Sequence, residues 1–317
     1  SDVPVVKEAF DGANAGVTMD GKVYGIPFTQ EGYGFIYNAA ILNKAGINPD
    51  EITSYAKLEE AVKKLDAKKA ELGLEAVFAV AGKETWVTGL HFTNAALSPE
   101  FENVFNAFNA KKIDFKYSEG MKKLFDLQIN YAKKPVNSVD YSTQVEKLFS
   151  LGKVAFMQQG NWTLGAIKGI DEELAANIGF LPMPIVGAKE DSIPVGIPMH
   201  WTVNSTKDEK TQAAAKAFLN WMYTSEKGKD AIINKFGFIP PFKGFDSPDL
   251  QPKDALAKDI MKYASAGKTI QWVFMGYPSG WGMEKIGVDL QKYVDGKLTW
   301  DQLIENGKKS WEEARKQ

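Results

Sequence analysis

The stretch Phe149-Ser150-Leu151-Gly152-Lys153-Val154-Ala155-Phe156-Met157-Gln158-Gln159-Gly160-Asn161-Trp162 reads as a helix end, a strand and a turn. Gly152 stops a short helix, because glycine enters the left-handed conformation of a helix stop without steric cost. Residues 153–158 form an apolar strand. Gly160-Asn161 then turns the chain into a new helix, with Trp162 at its start. Helix, strand and helix in close succession are the building unit of an α/β fold.

The same alternation extends outward. Upstream, residues 23–27 and 34–38 read as strands, and residues 39–46 as a short helix stopped by Gly46. From Ser54, an N-cap, to Leu72 the apolar positions Leu58, Ala61, Val62 and Leu65 keep helical spacing. Residues 75–81 are a strand, and 86–97 and 99–109 helices. Ser118 caps a further helix, and Thr143-x-x-Glu146 has the spacing of a capping box. Downstream, residues 177–181 are a strand ended by Pro182-Met183-Pro184, and residues 201–203 another. A helix spans about 209–223, and Ser225 caps the next. Three helices close the chain near 253–265, 281–295 and 300–315, the last opened by the capping box Thr299-x-x-Gln302. Strands alternating with helices give an α/β class with sheets covered on both faces.

Composition excludes several chemistries. The 317 residues carry 38 Lys plus Arg against 40 Asp plus Glu, a net charge of −2, so no basic nucleic-acid surface is expected. Arg315 is the only arginine, which disfavours polyanionic ligands, because arginine is the preferred bidentate partner of phosphate and carboxylate. There is no cysteine, hence no disulfide, thiolate metal site or thiol nucleophile. His91 and His200 are the only histidines. Neither GxSxG nor HExxH occurs, and Gly267-Lys268-Thr269 lacks the upstream glycine of a phosphate-binding loop, so Gly267 reads as a helix end. No cofactor and no metal are expected. The length fits about two domains of roughly 150 residues.

Aromatic residues make up 12% of the chain, with 8 Trp. Trp162, Trp281 in Gly280-Trp281-Gly282, and Trp86 after Lys83-Glu84-Thr85 each stand at a helix start, and all three read as occupying the same topological place, the carboxyl end of a strand. Small neighbours suggest accessible rings. Ligands of open α/β sheets bind at the carboxyl ends of strands. Trp272, Tyr277 and Trp201 fall in loops or at strand edges, whereas Trp221, Trp300 and Trp311 fall in helical patterns. Each loop ring is either a stacking platform or a plug between helices. Gln30 and Glu31 lie in a loop between strands, where they are either solvated or partners for a polyol. His200 is either a ligand donor or a satisfied interior histidine.

At these residues the sequence resembles the extracellular solute-binding proteins of ABC sugar importers, the family that includes maltodextrin-binding protein. The resemblance runs from residue 17 to 317. It is carried by Asp20-Gly21-Lys22-Val23-Tyr24-Gly25-Ile26-Pro27, Phe35-Ile36-Tyr37-Asn38, the stretch quoted first, Leu181-Pro182-Met183-Pro184 and Ala214-Ala215-Lys216-Ala217-Phe218-Leu219. It implies a two-lobe, type II periplasmic-binding-protein-like fold. Residues 1–32 and 198–243 would form the first lobe, and 33–195 and 248–317 the second, with crossovers near 31–36, 195–198 and 237–241. A sugar would be held in the cleft between them. The resemblance makes Trp162 and Trp281 stacking residues and Glu31 a hydroxyl acceptor. Trp86 matches more loosely, and Gln30, Asn161, His200, Tyr277 and Trp272 complete the expected ligand set. The implied partners are a mono- or oligosaccharide and an ABC permease, with the protein a monomer outside the cytoplasm, lipid-anchored or periplasmic.

The sequence departs from that family in two places. Ser54-Tyr55-Ala56-Lys57 lacks the acidic residue of a capping box. The family's N-terminal β-α-β-α unit has no counterpart, so the first lobe is expected to be incomplete. Two rival readings stay open: a glycoside-active enzyme with a carboxylate pair in the cleft, and a binder of cationic solutes through cation–π contact.

Overall fold

The computed structural model describes residues 3–10, 13–245 and 247–316, so residues 1, 2, 11, 12 and 317 of the expected lobes, and residue 246 between them, lie outside the described residues. The chain divides into two compact units: residues 1–31 with 196–258, and residues 32–195 with 259–317. Residues 248–258, which the family resemblance places in the second lobe, group with the first unit.

Among the described residues, the larger unit is built on a six-stranded mixed sheet. Its central strand is Glu31–Asn38. Its eight positions would alternate between buried and exposed if one face met water. Instead, Gly32 to Ile36 are buried in succession, the pattern of a strand covered on both faces. Phe156–Gly160 and Ile178–Leu181 both pair antiparallel with it. Gly34 is required by the second pairing, since a Cβ there would stand 2.4 Å from the Leu181 carbonyl oxygen. Phe78–Ala79 runs parallel to Phe156–Gly160, and Thr269–Ile270 runs parallel to Ile193–Gly196. Phe35, Phe78 and Phe156 stack across three strands at centroid separations of 5.4 and 5.3 Å, forming the middle of the core.

Local signals explain most boundaries. Ser54 Oγ accepts from Lys57 N–H to open Tyr55–Ala67, and the Thr299–Gln302 capping box opens Trp300–Ala314. Gly46 and Gly267 have φ of +66° and +67° at helix ends. Two expected caps are corrected. Ser118 is the first residue of Ser118–Asn130 and accepts from Trp300 Nε1–H instead. Thr143 does not form a capping box with Glu146. Asp140 Oδ1 accepts from Thr143 N–H, because the helix begins a turn earlier than the spacing suggested. The expected helix 86–97 is a π-helical turn, Val87–Phe92, running into Thr93–Phe101.

The smaller unit pairs Ile26–Pro27 with His200–Trp201 and Thr18–Met19 with Lys22–Val23. Its core gathers Val5, Val6, Ile26, Leu219, Tyr223, Ile232 and Phe242. Helix Glu209–Thr224, capped by Asp208, buries Leu219 and Tyr223, and leaves Phe218 and Trp221 exposed.

Candidate functional site

Two strands of the larger unit end at the same edge of its sheet. Phe78–Ala79 and Phe156–Gly160 are parallel, so their carboxyl ends coincide. The first leads to Trp86 and the second to Trp162. The central strand is antiparallel to them, which sets Tyr33, near its amino end, opposite Gly160. Topology alone therefore brings Tyr33, Trp86 and Trp162 together.

His91, on the π-helical turn Val87–Phe92, is the hub of this group. Its ring stacks on Tyr33 with centroids 4.2 Å apart and planes inclined by 15°. Trp86 meets it edge-on at 5.2 Å, while Trp162 and Phe274 are tilted against it at 5.3 and 5.2 Å. Trp86 and Trp162 lie 6.4 Å apart with planes at 56°, and Tyr141 adjoins Trp86 at 6.2 Å. Trp86, Trp162, Tyr141 and Phe274 remain partly exposed, whereas Tyr33 and His91 are buried. The result is an apolar floor with aromatic walls, a shape suited to flat apolar faces.

The cluster is electrically neutral at its centre. Burial holds the His91 imidazole down at about 3, so it is uncharged at neutral pH. Burial likewise raises the Tyr141 hydroxyl above its ordinary value, leaving a neutral O–H donor. Glu84 places a carboxylate at the rim of the cluster. Its Oε2 accepts from Trp86 Nε1–H at 3.2 Å, and its Oε1 from Tyr141 N–H at 3.3 Å. Glu84 thereby fixes the edge of the Trp86 wall.

Trp162 is held on two sides. Its Nε1–H donates to Gln159 Oε1 at 3.1 Å. Its ring covers Gly160, where a Cβ would stand 2.1 Å from the indole. Asn161 turns inward: its Oδ1 accepts from Gly32 N–H at 3.1 Å, tying the turn to the central strand. Trp272 is 6% exposed, 6.0 Å from His91 and 5.6 Å from Tyr33. Asn94 pins the segment that carries it by accepting from Phe274 N–H and donating to the Gln271 carbonyl. No acceptor meets Trp272 Nε1–H among the described residues.

Trp281 is a correction. It is 1% exposed, and its Nε1–H donates to Gly307 O and Ser310 Oγ at 3.0 and 3.1 Å. Tyr277 and Trp311 meet it edge-on at 5.1 and 4.9 Å. The glycines that suggested an accessible ring serve close packing instead. A Cβ on Gly282 would lie 2.1 Å from Leu90 Cδ2, and one on Gly89 1.9 Å from Gly282 O. Two π-helical turns, Val87–Phe92 and Trp281–Ile286, are thus pressed together. Tyr277 is also a core residue, with its hydroxyl 3.3 Å from Thr93 Oγ1.

Gln30, Glu31 and His200 belong to the smaller unit. Gln30 N–H donates to the Ile239 carbonyl at 2.7 Å. A His200 ring nitrogen lies 3.0 Å from Ala13 O and donates to it, so the side chain has a structural partner. Glu31 is half-buried, and burial raises its carboxyl to about 7.

No group of acidic or histidine side chains among the described residues has the arrangement of a metal site. No helix among them is long and apolar enough to cross a membrane.

A family model described as bacterial extracellular solute-binding protein matches residues 1–262. The melibiose/raffinose/stachyose-binding protein MelE of Bacillus subtilis (strain 168) is 28% identical over 218 residues, 64% of this chain and 47% of MelE. The chain thus spans about half the length of that relative. A solved chitin oligosaccharide binding protein superposes with a TM-score of 0.79 at 21% identity, over 99% of this chain and 76% of its own. A manno-oligosaccharide-specific solute binding protein of Bifidobacterium animalis subsp. lactis, solved with mannotriose, gives 0.70 at 22% identity, over 98% and 74%. These matches show a shared fold, the mixed α/β fold of two-lobe sugar-binding proteins.

Proposed function

The chain belongs to the bacterial extracellular solute-binding proteins, and we propose that it captures a neutral oligosaccharide outside the cytoplasm and delivers it to an ABC importer permease. One observation carries this reading: Trp86 and Trp162 stand as partly exposed walls around an uncharged His91–Tyr33 floor. Sugar rings present apolar C–H faces with polar edges. The indoles take the faces. The Tyr141 hydroxyl and the Glu84 carboxylate, at the rim of the same cluster, take hydroxyl groups.

The energetics suffice. Each well-placed aromatic contact contributes roughly 0.5–1.5 kcal/mol beyond area burial. Two or three such contacts with hydrogen bonds reach micromolar affinity, about −8 kcal/mol. The relatives' names mention melibiose, raffinose and stachyose, chitin oligosaccharides and manno-oligosaccharides, which supports an oligosaccharide without choosing among them.

Titration calorimetry against raffinose, stachyose, chitin oligosaccharides, mannotriose and putrescine tests the proposal. Saturable binding of a sugar, with no response to the amine, supports it. Binding of the amine alone, or release of product from a bound sugar, contradicts it.

A further inference from the structure

Three side-chain hydrogen bonds, the first two buried and the last half-buried, run from the sheet to Trp162. Gln144 Nε2 donates to Ala79 O at 2.8 Å, Gln159 Nε2 donates to Gln144 Oε1 at 2.8 Å, and Trp162 Nε1–H donates to Gln159 Oε1 at 3.1 Å. Both glutamines are at most 1% exposed. The direction of the chain is fixed by its ends. A backbone carbonyl only accepts and an indole N–H only donates, so each amide between them has one permitted orientation. No member titrates.

Two buried amides without an apolar alternative are costly to keep unless every group is met. Here the amide links between Ala79 and Trp162 are all met, and such networks rigidify what they hold. Gln144 sits on the π-helical turn Thr143–Phe149, which packs beside the strands Phe78–Ala79 and Phe156–Gly160. Ala79 ends the strand that leads to Trp86. The relay therefore ties the orientation of Trp162 to the strand that places the opposite wall.

We propose that Gln144 and Gln159 are positioning residues for ligand recognition: through a one-directional amide relay they lock the Trp162 indole at its angle to Trp86. This rests on the reading that Trp162 contacts the ligand. It predicts that residues buried well behind the exposed indole face control affinity.

The test has two arms. In the first, oligosaccharide affinity is measured for the full chain, Gln144→Met, Trp162→Phe and the double variant. Phenylalanine keeps a ring but cannot receive the relay. The proposal expects Gln144→Met to weaken binding about five- to tenfold in the parent and less than twofold in the Trp162→Phe background. Equal losses in both backgrounds would overturn it, since a merely structural role of Gln144 would act on either ring alike. In the second arm, hydrogen exchange of the indole N–H groups is followed by NMR without ligand, with Trp162 assigned from its loss in Trp162→Phe. Protection of the Trp162 signal in the parent, and exchange faster by about tenfold in Gln144→Met, supports the relay. Exchange of the parent signal at the rate of a free indole overturns it even where Gln144→Met does not fold. If no sugar binds the parent, the functional proposal fails while the exchange arm still decides the relay.

Discussion

The Tyr33 phenol lies face to face with the His91 imidazole at 4.2 Å, and its hydroxyl donates to the His91 backbone carbonyl at 3.2 Å. One residue belongs to the central strand and the other to a π-helical turn 58 positions away. Their pairing seals the floor between Trp86 and Trp162 and keeps the imidazole out of water.

That burial has a consequence for acid stability. His91 has an ordinary value of 6.5 and is held at about 3. Between those values the unfolded chain binds the proton and the folded chain does not. Stability therefore falls as pH drops through that window, by an amount on the order of several kcal/mol at its lower end. Urea midpoints at pH 7 and pH 4.5 should fall further for the parent than for His91→Phe. Equal falls would mean that the imidazole titrates freely.

Glu31 should act in the opposite sense. Its carboxyl is raised from 4.5 to about 7 by burial. The folded chain holds the proton where the unfolded chain has released it. The contribution is present below pH 4.5 and lost as pH rises through 7. Glu31→Gln should flatten the decline in stability between pH 5 and 8, measured by thermal melts at matched ionic strength. An unchanged slope would show Glu31 to be solvated.

The two tryptophans that the sequence treated alike should separate. Trp281→Phe removes an indole N–H that serves Gly307 O and Ser310 Oγ. It should lower stability by about 1–3 kcal/mol and leave sugar affinity within twofold. Trp162→Ala should do the reverse, with a modest stability change and a clear loss of affinity. Calorimetric titration and denaturant unfolding of both variants decide the matter.

Gly160→Ala probes the platform through the backbone. Gly160 has φ of −116°, which alanine adopts without strain, and the atoms nearest to the added methyl group belong to the indole. It should tilt Trp162 and weaken binding by about 2- to 12-fold, the value of one stacking contact. Affinity equal to the parent's would place the ligand elsewhere.

Much of the fold was legible because its signals are local. Caps at Ser54, Ser225 and Thr299, stops at Gly46 and Gly267, and the strand ahead of Gly160 all depend on a few neighbouring residues. The placement of Trp162 and Trp86 was legible for the same reason, since each follows the carboxyl end of a strand. Trp281 was misread because glycine has two opposite uses. Gly280 with φ of +73° does make a turn, but Gly282 lets two helical turns touch. Only the facing segment, around Gly89, distinguishes them. His91, Tyr33 and the Gln144–Gln159 pair carried no readable signal. Each lies in an apolar or mixed run, and its role comes from hydrogen-bond partners 15, 58 and 65 positions away.

The central claim is that the aromatic cluster of the larger unit binds a neutral oligosaccharide. Titration of the parent and of Trp162→Ala with the tightest-binding member of the oligosaccharide panel tests it most directly. The account predicts a dissociation constant near micromolar for the parent, at least tenfold weaker for Trp162→Ala, with no dependence on salt. Equal affinity in the two proteins would contradict it.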